Sequence, residues 1–183
     1  MPGSAKGAEQ PHIQIELVAS NAVSDLLRRE ADIAIRMVRP TQSSLVARRI
    51  GQVGVVACAH RDYLARSGLL QEPSDLLQHE LVGNDREQVI SRSFAAMGYP
   101  VGAEQFALRT DDLMAYWAAV RAGLGIGFVA AYLLHDDADV VAVLPDLLLP
   151  ALPVWLVVHR EIRSSRRIRA VVDFLARELP PLL

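Results

Sequence analysis

The chain has 183 residues, 51% of them apolar and 22% charged, with a formal net charge of −2. That length supports one core or two small lobes, and the charge balance lacks the basic excess that a nucleic-acid surface shows. The single cysteine, Cys58 in "VGVVACA", excludes an internal disulfide and reads as a small buried hydrophobe in a reducing compartment.

No apolar run reaches the roughly 18 residues of a membrane helix, since "VVAVLPDLLLPALPVWLVV" is broken by prolines and an aspartate. No charged start precedes an apolar segment, so no signal peptide is expected and the expected location is cytoplasmic, away from membranes. The opening "MPGSAKGAEQ" is small, polar and aperiodic, and holds the only lysine. Residues 1–10 read as a disordered tag or a truncated start.

From there helical and strand patterns alternate, which predicts an α/β fold with mostly parallel strands. "IQIELV" (Ile13 to Val18) alternates apolar and polar residues as a strand with one wet face does. Ser20 or Asn21 then caps a short helix carrying Val23, Leu26 and Leu27. "DIAI" is the next strand, and "LVARRIGQVGVVACA" holds a polar-edged segment followed by a strongly β-forming run. "HRDYLARSG" predicts a helix closed by Gly68, Pro73 and Ser74 mark another start, and "HELVG" is a strand. Glu87 to Gly102 is weakly patterned and reads as a helix and a hairpin.

"QFALRT" is a strand leading into "DDLMAYWAAVRAG", a helix capped by Thr110 or Asp111 and stopped by Gly123. "LGIGFV" and "DVVAVLP" are strands flanking the helical turn "AAYLLHD", and "PVWLVVH" is the last strand. "SSRRIRAVVDFLARELPPLL" closes the chain as an amphipathic helix, with Ile168, Val171, Val172, Leu175 and Leu179 on one stripe.

Three motifs have bland explanations. "GLGIG" (Gly123 to Gly127) closes a helix and enters a strand, whereas a dinucleotide loop does the reverse; a helix stop with close helix–sheet packing is the expectation. Arg163, Arg166, Arg167 and Arg169 read as a solvated helix face or a subunit contact. "HDDAD" (His135 to Asp139) lacks a second ligand cluster and reads as a surface turn. No metal site, cofactor loop or nucleophile–base set is present as a motif, so no catalytic residue, metal or cofactor is expected.

What remains is geometric. In open α/β sheets ligands sit beyond the carboxyl ends of the strands, often at helix N-termini. Ser20 and Asn21 follow "IELV", Arg36 follows "DIAI", Asn84 and Asp85 follow "ELVG", and Thr110 and Asp111 follow "FALR". Arg36 offers a bidentate donor set for a carboxylate, and Ser20 and Thr110 offer hydroxyls beside helix amides. Capping alone also explains Ser20, Thr110 and Asp111, and an acidic neighbour would satisfy Arg36.

"PHIQIELVASN", "READIAIRMVRPTQSSLVARRIG", "AHRDYLARSG", "PSDLLQHELVG", "AGLGIGFV" and "RIRAVVDFLARELP" stand in the order and spacing of a known family. From about Pro11 onward the chain resembles the effector-binding domain of LysR-type transcriptional regulators. "AIRMVRP" departs from the family pattern, in which a glycine follows shortly after the arginine.

The resemblance implies two Rossmann-like lobes joined by two hinge strands, a periplasmic-binding-protein-like fold of type 2. The implied hinges are about 52–59 and 154–159, lobe I is 11–51 plus 160–183, and lobe II is 61–152. It implies a small-molecule effector, an organic acid, between the lobes, and a homodimer or higher homo-oligomer. The ligand set is then Ser20, Asn21, Arg36, Asn84, Thr110, Asp111 and Phe128. DNA would be reached only through a winged helix-turn-helix that these residues do not include. The family also begins its sensing domain with a strand and helix for which "MPGSAKGAEQ" shows no pattern, implying an incomplete first lobe that exposes strand edges or recruits another chain. The alternatives are a free-standing solute-binding protein for a small carboxylate and a small α/β enzyme.

Overall fold

The computed structural model describes residues 13–19, 31–84 and 89–183. The described strands are β1 (Ile33–Arg36), β2 (Leu45–Val53), β3 (Val55–His60), β4 (Leu81–Gly83), β5 (Phe106–Arg109), β6 (Gly127–Ala130), β7 (Val140–Ala142) and β8 (Leu152–His159). The α-helices are α1 (Arg61–Ser67), α2 (Val89–Ala96), α3 (Leu113–Arg121) and α4 (Arg166–Glu178). Short 3-10 turns over Pro73–Gln78 and Ala131–Asp136 replace the predicted helical starts there.

Two sheets result. The smaller has the order β1-β8-β2, with both outer strands antiparallel to β8. In the other sheet β3 lies between β6 and β7, antiparallel to both, and β4 pairs with β5 in parallel. Val82 N–H donates to the Ile126 carbonyl at 2.9 Å and Ile126 N–H to the Glu80 carbonyl at 2.8 Å, a parallel bridge just before β6. These bonds make one continuous sheet in the order β5-β4-β6-β3-β7. Among the described residues the chain passes from the small sheet to the large one through Gly54 alone, and returns over 143–151.

Side-chain alternation gives the large sheet a core on each face. Ala57, Ala59 and Leu81 face Tyr63 and Leu64 of α1 and Phe94 of α2. Cys58, Val82 and Val129 face Tyr116, Ala119 and Val120 of α3. The connections β4–α2–β5 and β5–α3–β6 therefore place their helices on opposite faces. The short continuous apolar strands of the sequence follow from this two-sided burial. Cys58 is fully buried, and burial pushes its thiol pKa up to about 12, so it packs as an inert hydrophobe. On the small sheet the half-buried Ile168 and Val172 of α4 close over Val46, Leu156 and Val158 around a space of about 190 Å³.

The glycines of "GLGIG" act as structural punctuation. Gly123 ends α3 with φ +69°, a left-handed conformation that suits a residue without a Cβ. A Cβ on Gly125 would meet the Glu80 backbone, and one on Gly127 would overlap Val120 and crowd Tyr116.

Four expectations are corrected. Residues 13–19 form no strand, and Ile15, Leu17 and Val18 are 73%, 89% and 66% exposed. Alternation supplies strand propensity, but a strand exists only where an edge offers its hydrogen bonds. Among the described residues parallel pairing is confined to β4, β5 and the bridge at Ile126, because β3 and β8 each run against both neighbours. The region after α2 contains no hairpin: the Tyr99 N–H returns to the Phe94 carbonyl at 2.8 Å, Gly98 turns with φ +87°, and the chain continues to β5 through a 3-10 turn at Ala103–Gln105. The cap of α3 is Asp112, not Thr110 or Asp111. The opening ten residues, the expected helix after Val18, and Ser20, Asn21 and Asp85 lie outside the described residues.

Candidate functional site at the strand ends

β4 and β5 are adjacent parallel strands whose following helices lie on opposite faces. That reversal opens a crevice beyond their carboxyl ends, the position ligands take in open α/β sheets. Asn84 stands at the end of β4, and Arg109, Thr110 and Asp111 stand at the end of β5. The Thr110 N–H donates to the Gly83 carbonyl at 2.9 Å, carrying the pairing one residue beyond β5. The Asn84 amide donates to the Thr110 carbonyl across 3.5 Å, the outer limit for such a bond. The structure thus brings Asn84, Thr110 and Asp111 to one rim.

The helix amides expected there are already committed. Asp112 Oδ1 accepts from Met114 N at 2.8 Å and from Ala115 N at 3.0 Å, and Thr110 Oγ1 accepts from Asp112 N at 3.1 Å. The first turn of α3 is satisfied by its own chain. Leu113 and Met114 on that turn are 60% and 77% exposed, apolar surface beside the polar rim.

Beneath α2 the rim opens into a cavity of about 190 Å³, lined among the described residues by Asn84, Ser91, Val101, Ala103, Phe106 and Arg109. The Phe106 ring lies across Gly83, where a Cβ would collide with it. A glycine at the end of β4 thus lets an aromatic wall stand over the strand. Sequence reasoning missed Arg109 and Ser91. The signal for Arg109 was the one used for Arg36, an arginine closing a core strand.

Phe128 lies deeper. Its ring packs against Phe94 with centroids 5.3 Å apart at 56°, and its N–H donates to the Tyr116 hydroxyl at 2.8 Å. That hydroxyl also donates to the Val82 carbonyl at 2.9 Å, so one phenol ties α3 to β4 and β6. Burial holds the Tyr116 pKa above the usual tyrosine range, and the phenol stays protonated as a donor.

Arg36 belongs to the other sheet. It is half-buried at the end of β1 and stands opposite Trp155 of β8, which is opposite Arg49 of β2. Directly paired residues share a face in an antiparallel sheet, so the three form a row. The Arg39 guanidinium stacks 5.3 Å from the centre of the Trp155 ring, and the buried Trp155 Nε1 has no hydrogen-bond partner.

The "HDDAD" segment is a turn. Asp137 Oδ1 accepts from Asp139 N and Val140 N, and Oδ2 pairs with Arg121 at 2.7 Å. Burial opposes the charged carboxylate, but these three partners outweigh it and hold its pKa below the ordinary value. Among the described residues no three His, Cys, Asp or Glu are placed to hold a metal, and no helix is long and apolar enough to cross a membrane.

The mixed sheets, with helices on both faces of the larger one, define an α/β domain. The family model of the LysR substrate binding domain matches residues 7–180, and the chain belongs to that family. The solved CrgA regulatory domain from Neisseria meningitidis, a LysR-type transcriptional regulator, superimposes with a TM-score of 0.82 at 25% identity, covering 94% of this chain and 87% of that one. The AphB regulatory domain from Vibrio vulnificus shares the fold with a TM-score of 0.70 at 21% identity, covering 92% of this chain and 85% of that one. Among curated proteins, the HTH-type transcriptional activator AaeR of Escherichia coli K12 is 29% identical over 127 residues, 66% of this chain. The match spans 40% of AaeR's length. The fold class is the mixed α/β, two-lobed arrangement of these regulatory domains.

Proposed function

We propose that this chain is the effector-sensing and oligomerising part of a LysR-type regulator, acting on DNA through a helix-turn-helix region outside these residues. The observation that carries the reading is the family match over 7–180, whose relatives include transcriptional regulators. Lobe I is assigned to 11–51 with 160–183 and lobe II to 61–152, joined near 52–59 and 154–159. A second copy of the chain is the oligomer partner.

The effector is an organic acid held between the lobes. Arg36, delivered to the edge of β1, supplies a planar pair of donors to its carboxylate. Asn84, Thr110 and Asp111 stand at strand ends of the other sheet, beside the exposed Leu113 and Met114, and meet its remaining polar and apolar parts. Ser20 and Asn21 complete the set from the segment before β1. Regulation requires that the acid bind one arrangement of the lobes better than the other.

Thermal unfolding across a panel of aromatic and aliphatic carboxylates tests the reading. A true effector at saturation stabilises the protein by about 2–3 kcal/mol, and Arg36→Ala removes the effect. If no acid in the panel stabilises wild type more than Arg36→Ala, the Arg36 site is refuted. Turnover of a stabilising acid would favour an enzyme instead.

A further inference from the structure

We propose that the cavity between α2 and β5 is a second site for a ring-sized carboxylate, sharing Asn84 with the rim but built by the large sheet alone and anchored by Arg109. It does not use Arg36 and does not need the two sheets to meet.

The lining divides by chemistry. Val101, Ala103 and Phe106 are its apolar lining residues, and Asn84, Ser91 and Arg109 its polar ones, an amide, a hydroxyl and a guanidinium. Mostly apolar walls with a few placed polar groups are the usual makeup of small-ligand sites. Size limits the occupant. A cavity of about 150 Å³ suffices for benzene, so about 190 Å³ admits one substituted ring, well below a drug-sized pocket.

Charge fixes the polar end of the ligand. Among the described residues, Arg109 is the only ionisable one in the lining. It already engages another group of the chain, but a guanidinium has five donors in a fork that matches a carboxylate, so it can serve both. The Asn84 amide makes one bond at the limit of its range and retains capacity for an anion or a hydroxyl. Glu104 and Asp111, though near in sequence, are not among the lining residues.

The wall is held in place from behind. Phe106 joins the core around Phe94 on the α2 face, and Gly83 leaves room for the ring to cross β4. Held this way, the pocket is present without ligand, which lowers the ordering cost of binding.

Benzoate is the probe, with benzamide as its uncharged analogue, read by thermal shift and by amide chemical-shift changes in the intact chain. Benzoate is expected to raise the melting temperature of wild type and of Arg36→Ala equally, and benzamide to leave it unchanged. Arg109→Gln, read against its own ligand-free melting, should bind benzoate at least about tenfold more weakly. Ser91→Leu, which fills the cavity, should abolish the chemical-shift changes at Val101 and Phe106. Benzoate binding by Arg109→Gln at wild-type strength, its loss in Arg36→Ala, or no binding by wild type at millimolar concentration would each overturn the assignment. Because Arg36→Ala and Arg109→Gln report on different sheets, failure of this site and failure of the Arg36 site are read separately.

Discussion

At the scale of single residues, two phenols hold the large sheet to its helices. Tyr116 donates to Val82 O and accepts from Phe128 N, both buried or nearly so. Tyr116→Phe keeps the ring and strands both backbone groups, and is expected to cost about 1–3 kcal/mol in urea unfolding. Tyr63 accepts from Glu80 N at 2.9 Å, and its hydroxyl lies 3.0 Å from Nδ1 of His79. His79 is only 9% exposed, and burial holds its pKa below the ordinary 6.5, although the Asp75 charge pulls the other way. The folded state therefore favours neutral imidazole. Its contribution is fully present above pH 6.5 and is lost as pH falls through the lower folded value. The urea midpoint should drop between pH 7.5 and pH 5, and His79→Gln should show a smaller drop.

At the scale of elements, packing rather than backbone freedom decides which glycines matter. Gly127 enters β6 against α3, where an added methyl would overlap Val120 and crowd the Tyr116 ring. Gly127→Ala should lose about 1–3 kcal/mol of stability through overpacking. Gly54→Ala, whose Cβ would meet only Ala131 at an ordinary 3.8 Å, should be near neutral by the same measurement. Elements with a strong local pattern were legible in the chain: β3, β4, β5, α3 and α4 all lie where periodicity predicts. The misses are decisions that local pattern does not contain. "IQIELV" has the alternation of a strand, but pairing depends on a distant edge. The run Thr110-Asp111-Asp112 offers three caps in a row, and the choice falls to Asp112 because Thr110 is still bonded to Gly83. Nothing local marks Ser91 as part of a site, and its place beside the strand ends follows from the β4–α2–β5 crossover.

At the scale of the whole molecule, the strand-end rule found Asn84, Thr110 and Asp111 on one rim but could not show that Phe128 is committed to Phe94 and the core. Nor could it show that Arg36 belongs to a sheet of its own order. Sheet membership is set by long-range pairing of β8 with β1 and β2, and β8 lies about a hundred residues or more downstream of either in a chain of 183. A site assembled from both sheets is therefore readable from sequence only through its family likeness. A site within one sheet, such as the cavity at Arg109, follows from crossover topology.

Among the described residues, the passage through Gly54 and the return over 143–151 join the two sheets like a panel hung at two points. Such a panel has one soft rotation, about the line through its supports, and is stiff against the others. The return support is not slack: Leu144 is 8% exposed and sits at φ +50°, a strained value for a branched side chain that surrounding contacts must hold in place. A ligand that bridges the sheets would thus be converted into one angle. Whatever is attached to the small sheet would receive the signal as a turn about that line, with little change in separation.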